Sequence, residues 1–166
     1  MEFDKVLTEN LAEAAHEIFC EELWAKGYNY GFGTRDLNKE HSALRPYAEL
    51  NEYEKDKNRN FVRDIPRKLL SISYDIRLSR IRETVIEFSE SDIEKLARME
   101  HERWTQEILA SNAKCGQIRN KAKNSQKDLV PWHKLSENAK DKDRALVRGI
   151  PKILAEAGYT IVKRAE

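Results

Sequence analysis

Cysteine is scarce in this chain. Only Cys20 and Cys115 occur, neither in a C-x-x-C. They also fall at non-equivalent places and predict free thiols in a reducing compartment. Glycine is scarce too, and the one close pair, Gly31 and Gly33, is too sparse for a phosphate-cradling loop. No apolar run approaches the roughly 18 residues of a membrane span. The opening "MEFDKVLTEN" is too polar for a signal peptide, so a cytoplasmic protein without membrane contact is expected. Charge has no dominant sign, with 30 Lys and Arg against 29 Asp and Glu. Nonspecific nucleic-acid binding is therefore not expected either.

Catalytic signatures are missing as well. "HE" occurs at 16–17 and 101–102, but a zinc protease needs H-E-x-x-H, and the fifth position is Cys20 in one case and Thr105 in the other. No serine sits in a nucleophile elbow, and no carboxylate pair stands out from the charged background. The expectation is a protein without catalytic residues, metal or cofactor, and so not an enzyme.

What the sequence does contain is a repeat. "NRNFVRDIP" (Asn58 to Pro66) and "DRALVRGIP" (Asp143 to Pro151) share five of nine letters, and the offset of 85 extends without a gap along the chain. It places His16 on His101, Glu17 on Glu102, Phe19 on Trp104, Pro46 on Pro131, Tyr47 on Trp132 and Tyr74 on Tyr159, with roughly a third of paired positions identical. The expected organisation is one copy over 1–80, an ordered linker over 81–91 and a second copy over 92–166. Duplicated modules of this size commonly pack about a pseudo-twofold axis as one unit.

Within each copy the periodicity predicts a mainly α fold with short antiparallel β strands (α+β), two helices plus short strands per copy. The first helix is expected after Thr8, with Leu11, Ala14, Ala15 and Ile18 on its apolar face and Gly27 ending it. Ser91 with Glu94 suggests a capping box for its counterpart. Tyr28 and Tyr30 alternate like a strand, and a loop of about sixteen residues follows, long enough to suggest function. Asn51 and Ser136 are expected N-caps of the second helix. Pro66 and Pro151 fall where that helix should continue, so the chain either kinks there or opens a fresh helical turn. "SYDIRL" and "GYTIVK" read as strands that pair with the tyrosine strand of their own copy or with each other's copy.

Candidate binding residues gather around the long loop of copy one. Tyr28, Tyr30 and Tyr47 offer faces for stacking on flat rings, and Arg35, Asn58, Arg59 and Arg63 offer forks and amides for anionic oxygens. His16 is either a partly buried histidine bonding a carbonyl at the interface between copies or a ligand-facing group. Arg59 and Arg144 have a plainer alternative in Glu52 and Glu137 of their own helices. Copy two has Ala113, Cys115, Asn120 and Asp143 in place of Tyr28, Tyr30, Arg35 and Asn58, so copy one is the expected host of a pocket. Trp132 keeps an aromatic in copy two and is expected to pack at the pseudo-axis or complete that pocket.

The runs "TENLAEAAHEIFCEELWAKGYNYGFGTRDLNKEHSALRPYAEL" and "NRNFVRDIPRKLLSISYDI", with "LARMEHERW" and "DLVPWHKLSENAKDKDRALVRGIPKILAEAGYTI" in copy two, resemble the ryanodine-receptor repeat, the RyR domain. The chain looks like a stand-alone tandem pair of the bacterial or phage type. The resemblance implies a helical two-copy module without enzymatic activity that binds a nucleotide or ADP-ribose-like small molecule as a sensor. The alternative it leaves open is a module that docks on a protein partner through its long charged loops. Phe19 departs from the usual first tryptophan, and the Arg-Asp pair at 35–36 has no counterpart in copy two.

Overall fold

The computed structural model describes residues 2–33, 36–80, 83–114 and 128–165. Helix α1 runs Lys5–Ala25 and starts ahead of the expected Thr8 cap. Asp4 takes that role, its carboxylate accepting the Leu7 N–H at 2.8 Å, while Thr8 is buried inside the first turn. Aspartate caps as well as threonine does and comes earlier in the chain, so it wins. The other end follows expectation: Gly27 adopts φ +82°, a left-handed geometry that glycine reaches without a Cβ penalty, and its N–H reaches the Trp24 carbonyl at 2.9 Å.

The tyrosine strand is short. β1 (Asn29–Tyr30) pairs with β2 (Glu40–His41) in parallel, which corrects the antiparallel expectation at this place. A hairpin, which would make the pair antiparallel, closes over two to five residues, and nine residues separate Tyr30 from Glu40. Pro46 then opens a 3-10 turn, Tyr47–Glu49. Asn51 caps α2 (Glu52–Arg63) as expected, in a reciprocal box with Glu54.

The proline phrase resolves into a break. α2 ends at Arg63, and α3 (Ile65–Ser71) begins with Pro66 in its first turn, where a missing N–H costs nothing. Strand β3 (Tyr74–Leu78) follows. α4 spans Glu90–Lys114. Ser91 lies inside its first turn. The hydroxyl of Ser89, two residues earlier, accepts the Asp92 N–H at 3.1 Å, so the capping expectation was displaced by two positions. After a 3-10 turn at Trp132–Lys134, α5 (Glu137–Arg148) starts on Ser136, whose hydroxyl accepts the Ala139 N–H. α6 (Ile150–Glu156) repeats the proline break and β4 (Tyr159–Lys163) is the last element.

Two compact units result, Met1–Glu87 with Gly149–Glu166, and Phe88–Arg148. In the first, α1 packs on α2 and on α6, and β3 pairs antiparallel with β4 from Tyr74↔Lys163 to Leu78↔Tyr159. Of the two strand partners left open by the sequence, β3 therefore takes the one from the other copy. The Ser79 N–H donates to Gly158 and the Arg164 N–H to Ser73, each at 2.8 Å, closing both ends of the ladder. Leu11, Val62, Ile65, Leu69, Leu154 and Ile161 form its core at 0–1% exposure. Each such side chain contributes about 1.5–3 kcal/mol by leaving water. The second unit packs α4 on α5 over Leu96, Ala97 and Val147, with Trp132 and Leu135 closing it.

A charged group breaks the apolar pattern of the first unit more sharply than the buried Thr8 and His16 do. Lys68 is fully buried, with its Nζ 2.6 Å from Asp64 Oδ2 and 5.3 Å from the centre of the Phe61 ring. At the equivalent positions the second copy has Ile153 and Gly149.

Candidate functional site

The polar residues shared by the two copies form the same network twice. Arg59 on α2 reaches back to Glu9 on α1 through two parallel bonds, Nε to Oε2 and Nη2 to Oε1, both at 2.8 Å. Its Nη1 holds Glu52 at 2.8 Å and Asp56 at 3.0 Å. The Tyr47 hydroxyl donates to Glu9 at 3.0 Å. In copy two Arg144 bonds Glu94 at 2.8 and 3.3 Å, Glu137 at 2.9 Å and Asp141 at 2.8 Å, and the Trp132 indole N–H donates to Glu94 at 3.2 Å. Pairing with Glu52 and Glu137 is the plainer alternative the sequence offered. The longer reach to Glu9 and Glu94 was missed, although both glutamates coincide at the repeat offset.

The histidines repeat as well. His16 Nε2 donates to the Arg45 carbonyl and His101 Nε2 to the Val130 carbonyl, each at 2.7 Å and each 29 residues along the chain. Both are buried carbonyl-bonding histidines, and each carbonyl belongs to the histidine's own copy. His101 Nδ1 also lies 3.6 Å from Asp143.

These contacts tune the groups they hold. The Arg59 fork keeps Glu9 below the usual carboxylate range, and Arg144 does the same to Glu94. Burial, with the bond to the Glu9 carboxylate second, pushes the Tyr47 phenol up to about 12. Burial pushes the Cys20 thiol up to about 11, so it stays protonated and inert at neutral pH.

The described copy-one candidates stand in different surroundings. Tyr47 is buried with its hydroxyl on Glu9, and Asn58 Nδ2 donates to the Glu54 carbonyl at 3.2 Å. Arg63 is exposed and bonds Asn60 of its own helix. Tyr28 is half-buried, with its backbone N–H on Leu23. Tyr30 is half-exposed and meets Phe32 edge to face, ring centres 6.1 Å apart. Arg35 lies outside the described residues, as do Cys115 and Asn120.

A cleft of about 510 Å³ opens in the second unit, between one face of α4 and the segment Leu129–His133. Arg98, His101, Glu102, Thr105 and Gln106 line its helix side; Val130, Pro131 and Trp132 line the other. The size falls within the roughly 300–1,000 Å³ of small-molecule sites. Trp132, which the sequence placed at the pseudo-axis or in the copy-one pocket, borders this cleft. The Thr105 hydroxyl oxygen is buried without a hydrogen-bond partner among the described residues. No three His, Cys, Asp or Glu side chains among the described residues gather as a metal site would need, and no helix among them is long and apolar enough to cross a membrane.

The comparison with protein families returns one description for both copies. The model of the RyR domain matches residues 2–78 and again residues 83–163.

Proposed function

Because the chain belongs to the RyR domain family in both of its halves, we propose that it is a non-catalytic ligand-binding module, a sensor for a nucleotide or ADP-ribose-like small molecule. The observation that carries this reading is the cleft beside α4. It has the volume for such a ligand, an indole at its border and polar side chains along one wall. Stacking against one aromatic contributes roughly 1–3 kcal/mol, enough to orient a base-like ring.

Thermal-shift screening of the full chain against nucleotides, cyclic dinucleotides and cyclic ADP-ribose tests this. A ligand at about 100 times its dissociation constant should add roughly 2.7 kcal/mol of stability. Substituting Trp132 with Leu should abolish that shift, whereas Tyr30→Ala should leave it intact. A library without a single binder would end the proposal.

A second reading rests on a different observation. Trp24, Tyr30, Phe32 and Leu37, all within one segment of copy one, expose 56%, 51%, 99% and 101% of their surface. Aromatic and aliphatic side chains held in water suit a protein-docking loop. Phe32→Ser with Leu37→Ser should then remove a partner without moving the nucleotide-induced shift.

A further inference from the structure

We propose that Arg98 makes the α4 cleft selective for anionic ligands and that this property separates the two copies. The inference rests on the cleft being the ligand site and adds what that site selects. Along α1 the corresponding face carries Glu13, Glu17 and Glu21 at successive turns. On α4 the same three positions are Arg98, Glu102 and Gln106. One carboxylate has become a guanidinium and another a neutral amide, so the face that carries three carboxylates in copy one keeps only Glu102 in copy two and opposes it with Arg98.

Arg98 is also available. It is exposed, it lines the cleft, and it makes no hydrogen bond or ion pair among the described residues. The other described arginines of this unit are engaged: Arg103 with Glu100 and Glu107, Arg144 with Glu94, Glu137 and Asp141, Arg148 with Glu90. A free planar fork over a cleft wall holds a phosphate or carboxylate through two charge-assisted bonds, a geometry lysine does not reproduce.

The test is calorimetric titration of the full chain with adenosine 5′-monophosphate and, separately, with adenosine. The monophosphate should bind at least about tenfold tighter in moderate salt, in line with a charge-assisted pair at a partly exposed site. Arg98→Gln should bring the monophosphate down to the affinity of adenosine and leave adenosine itself within about twofold. Arg98→Lys should keep part of the preference. Because Arg98 is exposed and unpaired, melting curves of both variants should match the parent. Equal affinity for the two probes, or a preference that survives Arg98→Gln, overturns the proposal and leaves the cleft as a site for neutral ligands. If neither probe binds, the cleft is not a nucleotide site, and this inference falls with that reading.

Discussion

Arg59 and Glu9 stand 50 residues apart in the chain and face each other fork to fork, with both N···O distances at 2.8 Å. Arg144 and Glu94 repeat the pairing at the same separation. Each arginine ties the start of its copy's first helix to the middle of the second, and each is mostly shielded, at 16% and 18% side-chain exposure.

Arg59→Ala should destabilise the protein by about 1 kcal/mol, less in high salt, because Glu9 remains part-exposed and solvent screens the pair. Arg59→Lys should recover only part of the loss, since an ammonium cannot make both parallel bonds. Chemical denaturation of the three proteins measures this. Identical midpoints would show the clamp to be decorative.

The same clamps set the acid limb of stability. Glu9 and Glu94 have folded values below their unfolded ones, so the unfolded chain binds protons first as the pH drops. Their contribution is complete above the ordinary glutamate value, about 4.3, and disappears as the pH falls through the lower folded value. Melting temperature against pH should therefore fall more gently below about pH 4.3 in Arg59→Ala/Arg144→Ala than in the parent.

At the alkaline end Tyr47 acts with the opposite sign. Its folded value is pushed up to about 12, so its stabilisation is whole below the ordinary tyrosine value near 10 and is lost as pH rises towards 12. Ultraviolet titration should show one tyrosine ionising late, and Tyr47→Phe should remove that phase.

The buried Lys68 and Asp64 give an asymmetric pair of outcomes. Asp64→Ala removes the 2.6 Å carboxylate partner of a fully buried ammonium and should cost about 3–5 kcal/mol. Replacing the whole pair, Lys68→Met with Asp64→Gly, should be close to neutral or stabilising, because the second copy has Ile153 and Gly149 at these positions. Denaturation midpoints that fell equally in both variants would contradict this account.

Ser73 holds φ +62°, where the second copy has Gly158 at +79°. Ser73→Gly should relieve the left-handed strain and stabilise the chain by up to about 1 kcal/mol, read as a raised melting temperature.

The elements legible in the sequence are those specified locally. Asn51, Gly27 and Pro66 act within a few residues of themselves, and each does the job its side chain or ring predicts. The helix starts at Thr8 and Ser91 were misplaced by a few residues because Asp4 and Ser89 cap equally well. The site was harder to read because availability is a tertiary property. Tyr47 and Tyr30 look alike in sequence, yet one is buried with its hydroxyl on Glu9 and the other is half-exposed. The partner that decides this for Tyr47 lies 38 residues away. The useful signal was the repeat itself: Glu9, Glu52, Asp56 and Arg59 are all identical in the second copy, which marks them as a structural set. Arg98 carries the reverse signal, a reversal of charge against Glu13 on a face where only Glu17 and Glu102 match.

The pairing of β3 with β4 has a consequence for how the protein is made. Residues 74–78 leave the ribosome with their hydrogen-bonding edge unmatched, and the strand that covers them is made about 80 residues later. At roughly 5–20 residues per second that delay is several seconds, long compared with the microseconds to milliseconds in which helices form and collapse. The first helices can assemble while synthesis continues, but the unit to which they belong is sealed only when Tyr159–Lys163 arrives. A nascent chain stalled before that point presents a bare strand edge to its neighbours, and a stall in the second copy therefore endangers the first.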